Sequence, residues 1–281
     1  MSVNFSGKTD LGYKMDLNED LIVAESLSDN KEMDDDYLLM VLDGNGASIK
    51  AQQNPEMVVQ PVYLVANTIK SVLKKAYREH RATFLSDPMI FLKVAFEAAN
   101  LALGTFRMGD EEIYGNFSSC VTAVFFHGDK GYGLHCGNTR AYLFKKSKDG
   151  GMKLVQLTKD HTVAQLKVDS GELDARDYYL HPDRINLYST IGMSADPVFM
   201  PFNVNLKEDE MLLLSTDGLH YAQTSEDIVN IIMSAPNIGD MIDHFISESK
   251  RLNHIDNIAL LFAYRKEWVE SVILNNPNVS E

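Results

Sequence analysis

Four acidic positions stand where apolar runs begin or end. In YLLMVLDGNGA (37–47) a run of large apolar residues stops at Asp43, and glycine follows at once. MLLLSTDG (211–218) repeats the pattern at Asp217. NED (18–20) puts Glu19 and Asp20 at the head of an early apolar run, and HIDN (254–257) puts Asp256 just before the last one. Strands bundled into one core can bring such ends together. Carboxylates gathered in one cleft repel each other and take up protons unless cations hold them. An all-oxygen set favours Mg²⁺ or Mn²⁺ over zinc. Glycine after the acid lets a carbonyl or a water approach a metal closely. A DG dipeptide after a strand is equally the ordinary chemistry of a turn. Spacing alone therefore leaves two readings open, a divalent-metal cleft and a set of turns.

The elements that must position these acids read as follows. Residues 8–14 and 20–26 form short strands, and YLLMVL (37–42) forms a strand too short and too continuous for a surface helix. DNKEMDDD (29–36) between them reads as a charged, solvated loop. From about residue 55 to 106 the apolar spacing turns helical, in two long antiparallel helices. SDP (86–88) starts the second, with Ser or Asp as cap and proline in the first turn. Residues 118–146 read as strands around a GDKG turn, and KLVQLT (153–158) continues the sheet. A polar, irregular stretch runs from 159 to 201, with some helix near 162–171. A strand within 208–219, two helices in 224–235 and 237–253, and a closing strand in 255–265 complete the chain before a frayed tail at 270–281. Strands cluster in two places and helices come in pairs. That is an α+β pattern of antiparallel sheets with helices packed outside, not a βαβ alternation.

The chain has 281 residues, 45% of them apolar, enough for a sizeable core and, without repeats or linkers, one domain by default. No run of 18 uninterrupted apolar residues and no apolar leader are present, so the expectation is no membrane span and a cytoplasmic location. A net charge of −14 argues against a general nucleic-acid binder. It still allows a phosphorylated substrate if cations lie between protein and phosphate. Cys120 and Cys136 lie in strand-like runs and read as small core residues of a reducing compartment.

In order along residues 7 to 264, the chain resembles the metal-dependent serine/threonine protein phosphatases of type 2C. The resemblance is carried by GKTDLGYKMDLNED (7–20), VLDGNGA (41–47), GNFSSCVTAVFF (115–126), HCGNTRAYLF (135–144), QLTKDHT (156–162), HPDRINLYSTIG (181–192), LLLSTDGL (212–219) and DNIALLFAY (256–264). It implies a single domain over 1–269, a sandwich of two packed antiparallel sheets flanked by paired helices. It also implies two Mn²⁺ or Mg²⁺ ions per chain in a cleft at one end of the sandwich. By motif, Asp43 would bridge both ions. Gly44 would offer its carbonyl to one, with Glu19 beside it; Asp217 and Asp256 would hold the other. Asp20 and Asn138 would support these ligands from behind. The implied activity is hydrolysis of phosphoserine and phosphothreonine in proteins, by a hydroxide held between the metals that attacks phosphorus in line. The implied partner is a phosphorylated protein within a serine/threonine kinase system.

Three positions depart from the family pattern. Many members carry a phosphate-binding arginine three residues before the Asn of NED; Met15 stands there, with Lys14 as the adjacent substitute. Lysine is a point charge and lacks the bidentate fork. The Gly-Asp-Ser-Arg motif reads Gly137-Asn138-Thr139-Arg140, which removes an acid that often serves a third metal and leaves Arg140 a structural role. Asn45 follows the DG where His or Met is usual, and His161 in KDH reads as a loop organiser. These losses keep two alternatives beside the enzyme: a pseudophosphatase that binds a phosphoprotein or kinase without efficient turnover, and an unrelated metal hydrolase or structural protein.

Overall fold

The computed structural model describes residues 3–28, 35–47, 60–148, 151–193, 195–252 and 256–268. With strands numbered along the chain, one antiparallel sheet runs β1 (Val3–Asp10), β10 (Ile258–Arg265), β9 (Met211–Ser215), β6 (Arg140–Lys146), β7 (Met152–Gln156). The other runs β2 (Asp20–Ser26), β3 (Asp36–Asn45), β4 (Ser118–His127), β5 (Lys130–Cys136), β8 (Met200–Asn205). Helices α1 (Pro61–Ser86) and α2 (Pro88–Gly109) cover the outer face of the second sheet. Beyond α3 (Val163–Ser170), helices α4 (Ser225–Ser234) and α5 (Ile238–Arg251) cover the outer face of the first.

The continuous apolar runs follow from this layering. Successive side chains of a strand point to opposite faces. On β3, Leu38, Met40 and Leu42 meet α1 and α2, while Leu39 and Val41 enter the layer between the sheets. On β9, Met211 and Leu213 meet α4 and α5, while Leu212 and Leu214 face the other sheet. A central strand covered on both faces has no place for a polar residue until it leaves the sheet. Each of these fully buried side chains contributes about 1.5–3 kcal/mol, so the posts that end in Asp43 and Asp217 are rigid.

Local chemistry sets the helix starts. Pro88 begins α2 after Asp87, whose side chain makes no capping bond. Thr224 and Asp227 form a reciprocal capping box at α4, with Thr224 Oγ1 accepting from the Asp227 N–H at 3.2 Å and Asp227 Oδ2 accepting from the Thr224 N–H at 2.9 Å. Among the described helices α2 is long and apolar enough to cross a membrane, by length and composition. Its Leu92, Ala95, Phe96, Ala99 and Leu103 are buried against β-sheet and α1, as in a core helix.

The structure corrects the sequence reading in three places. β1 occupies 3–10 rather than 8–14, so Lys14 lies in a turn and strand alternation does not govern which way it points. β8 is not legible in the sequence because MPFNVN sits at the end of a polar stretch and buries only alternate residues as an edge strand. Asp36, expected in a solvated loop, is 1% exposed and opens β3; it accepts from the Tyr77 hydroxyl at 2.5 Å and pairs with Arg81 and His127. The rest of that loop up to residue 34, the helix start at 55–59 and the tail at 270–281 lie outside the described residues.

Candidate metal centre

The registers place the acids at one end of the sandwich. β2 starts and β3 ends at the same edge, so Asp20 pairs directly with Asp43, and Asp43 with Cys120 on β4. In the other sheet Ser215 pairs with Leu260, so the chain leaving β9 at Asp217 and the chain entering β10 at Asp256 occupy that same end. Thr216 ties the two sheets. Its Oγ1 donates to Asp20 Oδ2 at 2.6 Å and accepts the Ala259 N–H at 2.8 Å. Asn257 ties the loop that carries Glu19. Its Oδ1 accepts the Glu19 N–H at 2.8 Å, and its Nδ2 donates to the carbonyls of Leu11 and Leu17 at 2.9 and 3.1 Å. Glu19 in turn accepts from Gly44 N–H through its carbonyl (3.1 Å) and from Ala47 N–H through Oε1 (2.7 Å).

The two glycines after the acids are required by close backbone approach. A Cβ on Gly44 would stand 2.8 Å from the Glu19 carbonyl oxygen, and one on Gly218 only 1.9 Å from that of Asn257. We expect Gly218→Ala to cost about 2 kcal/mol or more through overpacking against backbone. Gly104→Ala, on an α2 face with nothing within 4 Å, is the control and should be neutral or slightly stabilising. Urea midpoints of the two variants decide it; equal midpoints would refute the steric argument.

The assembled acids are electrostatically frustrated. Burial, then the charges of Asp217, Asp20, Asp256 and Glu19, hold the Asp43 carboxyl well above the usual range. Asp20 is raised in the same way, against the opposing bond from Thr216. Asp217 is pushed up to about 8 by burial and by Asp256, although Asn138 Nδ2 donates to its Oδ2 at 2.9 Å. The donor set suits hard divalent cations: carboxylates and a peptide carbonyl, without imidazole. The one thiol alongside, Cys120, is driven up by burial and by Asp43 and stays protonated. Asn138 Oδ1 is buried without a hydrogen-bond partner, a further oxygen at the same place. Among the described residues no three acidic, imidazole or thiol side chains already close into a cage. Glu19 and Asp217 are engaged by Ala47 and Asn138 instead.

Of the residues singled out in the sequence, Glu19, Asp20, Asp217 and Asn138 are buried, and Asp43, Gly44 and Asp256 half-buried, all at this end of the sandwich. Lys14 is exposed, its Nζ 5.4 Å from the Tyr13 ring, and is not among the main charges acting on Asp20, Asp43 or Asp217. Thr216 and Asn257 lie within motifs that give no sign of their role as connectors. Tyr221, whose hydroxyl lies 3.5 Å from Asn138 Nδ2, carries no sequence signal, and Arg184 beside it lies within HPDRINLYSTIG without being singled out there.

Around this core, His161 organises a loop. Its Nδ1 accepts the Gly137 N–H at 3.1 Å, its own N–H donates to the Gly137 carbonyl at 2.7 Å, and burial lowers it to about 4, so the ring is neutral. Arg140 grips Asp160 with two bonds of 2.8 and 2.7 Å, and also donates to the hydroxyls of Tyr142 and Tyr179.

No protein-family model matches the chain. The serine/threonine phosphatase stp of Listeria welshimeri is 23% identical over 259 residues, covering 92% of this chain and 94% of its own. The solved structure of the S. agalactiae serine/threonine phosphatase superposes with a TM-score of 0.76 at 22% identity, over 94% of this chain and all of that one. The catalytic domain of the serine/threonine protein phosphatase PstP, solved in complex with 2 manganese ions, superposes with a TM-score of 0.70 at 21% identity, over 93% and 97%.

Proposed function

We propose that this chain, which belongs to the bacterial type 2C family of serine/threonine phosphatases, hydrolyses phosphoserine and phosphothreonine in proteins with the help of two Mn²⁺ or Mg²⁺ ions. One observation carries the reading: five carboxylates from four separate chain segments and both sheets converge where no core packing calls for them, at the cost of mutual repulsion. Asp43, Glu19 and the Gly44 carbonyl would hold one ion, and Asp43, Asp217 and Asp256 the other. When bound, such ions supply a water acidic enough to attack phosphorus at neutral pH and neutralise charge on the phosphoryl oxygens. The protein's own part is positional. Thr216 fixes Asp20 behind Asp43, Asn257 fixes the Glu19 loop, and Asn138 aims Asp217. No nucleophilic side chain is needed, and Cys120 as a neutral thiol is unsuited to the task. Cys120 and Cys136 are buried free thiols, which supports a reducing, cytoplasmic setting.

The reading is tested by hydrolysis of p-nitrophenyl phosphate with Mn²⁺, with Mg²⁺ and with EDTA, beside Asp43→Asn. Turnover that needs the metal and fails in the variant is the expected result. Mn²⁺ binding by calorimetry without turnover would instead identify a pseudophosphatase, with Met15 and Asn138 as the suspected causes.

A further inference from the structure

A cation beside the metals would help a phosphate dianion enter an acidic cleft, and Met15, ahead of the Glu19 loop, supplies none. Arg184 supplies one, from the 3₁₀ turn Pro182–Ile185 of the irregular stretch. That turn is pinned. Lys167 Nζ holds Asp183 at 2.5 Å, Asn186 Nδ2 holds the same carboxylate at 2.8 Å, and the Asn186 carbonyl accepts the Val163 N–H at 2.8 Å. The backbone of Arg184 is fixed to the site as well, because its carbonyl accepts the Tyr221 hydroxyl at 2.5 Å. Tyr221 sits beside Asn138, which holds Asp217, and its own N–H donates to the Asp217 carbonyl at 2.9 Å.

The Arg184 guanidinium carbon stands over the Tyr221 ring, 4.2 Å from its centroid. Stacking occupies a face of the guanidinium and leaves its in-plane N–H groups free. Among the described residues it makes no ion pair, although it is half-buried and close enough to the cleft for its charge to act on Asp217. A half-buried arginine with a fixed backbone, a supported face and unused donors, next to a metal-ligand candidate, is built to receive an oxyanion.

We infer that Arg184 is the phosphate-binding residue of this site, gripping the monoester dianion from the Tyr221 side of the cleft by a bidentate N–H···O pair. This rests on the phosphatase reading and adds a cation to its cleft.

The test is titration of inorganic phosphate into the full-length Mn²⁺-loaded protein, alongside KM and kcat for p-nitrophenyl phosphate, in wild type, Arg184→Ala and Arg184→Lys. Mn²⁺ affinity and far-UV circular dichroism serve as controls. Arg184→Ala should weaken phosphate binding and raise KM by about tenfold or more with Mn²⁺ affinity kept, since charge-assisted pairs are the strong ones. Arg184→Lys should fall between, keeping the charge and losing the fork. Unchanged phosphate affinity in Arg184→Ala overturns the assignment while leaving the phosphatase reading intact. Loss of Mn²⁺ binding in both variants also overturns it, because the residue would then be supporting the metal site. A wild type that neither turns over nor binds phosphate sinks the phosphatase reading itself, and this assignment with it.

Discussion

Asp217→Asn is expected to lower kcat for p-nitrophenyl phosphate by about a thousandfold or more and, at the same time, to flatten the pH dependence of stability of the metal-free protein. The first effect follows from metal chemistry. A metal ion contributes several kcal/mol of charge stabilisation in the transition state, and each 1.36 kcal/mol is about tenfold in rate. The second follows from the repulsion among the acids. Asp217 titrates near 8 in the fold, against 3.8 for the free side chain, because it is buried beside Asp256. Between those values the folded chain binds more protons than the unfolded one. Stability of the metal-free protein therefore falls as pH rises from about 4 to about 8, the sign required when the native state holds the extra proton. An asparagine in its place has no proton to lose, and its neutrality also relieves Asp43 and Asp20, which feel the Asp217 charge. Mn²⁺ should reverse the wild-type slope, since carboxylates must ionise to ligate and binding releases their protons. Melting temperatures across pH 5–8 in EDTA and in Mn²⁺ measure both effects. Parallel slopes for wild type and variant in EDTA would show that Asp217 is not the frustrated acid described here.

Much of this site is legible in the sequence because it obeys period-two logic. A strand covered on both faces reads as an unbroken apolar run, so β3, β9 and β10 announce themselves, and the acid that ends the run is conspicuous. The paired helices show in their 3.6-residue spacing for the same reason. What the sequence hides is the connection between segments far apart in the chain. Thr216 is a residue of no particular promise until the packing of the two sheets brings the head of β2 beside the end of β9, and its hydroxyl meets Asp20, 196 positions away. Asn257 reads as half of a DN turn until its amide is seen holding the loop of Leu11 and Leu17. The glycines read as room for a metal; they are also room for another backbone. The irregular segment 159–201 is harder still. It has no periodicity, its 3₁₀ turns are held by local Asp and His bonds, and Arg184 there is one charged residue among many until Tyr221 is found beneath it.

The same distinction between ligand and frame governs Arg140, which is expected to fail in the opposite way from Asp217. Arg140→Ala should destabilise the fold by about 3–5 kcal/mol, the usual cost of leaving one member of a buried ion pair alone. The pair is nearly sealed, with side-chain exposures of 3% for Arg140 and 0% for Asp160. Burial alone would raise the Asp160 carboxyl, but the Arg140 charge and its two bonds override it and bring Asp160 to about 2. Asp160 is therefore a full anion at working pH, and without arginine it faces the Tyr178 hydroxyl at 2.5 Å and Gln156 at 3.5 Å as its remaining named donors. Because its folded value lies below the free one, the stability it contributes is present above about pH 4 and is lost as pH falls toward 2. Arg140→Ala should unfold at lower urea at every pH above that window. Its loss of activity should track the loss of folded protein, since Arg140 contacts Asp160 and the tyrosines and is not among the main charges on Asp217. Asp160→Asn in the same background should restore part of the stability, because the uncompensated charge is then gone. A single variant that keeps its urea midpoint yet loses phosphate turnover would place Arg140 in the chemistry instead of the frame, and would move the cationic side of the cleft from Tyr221 to the core of the sheet.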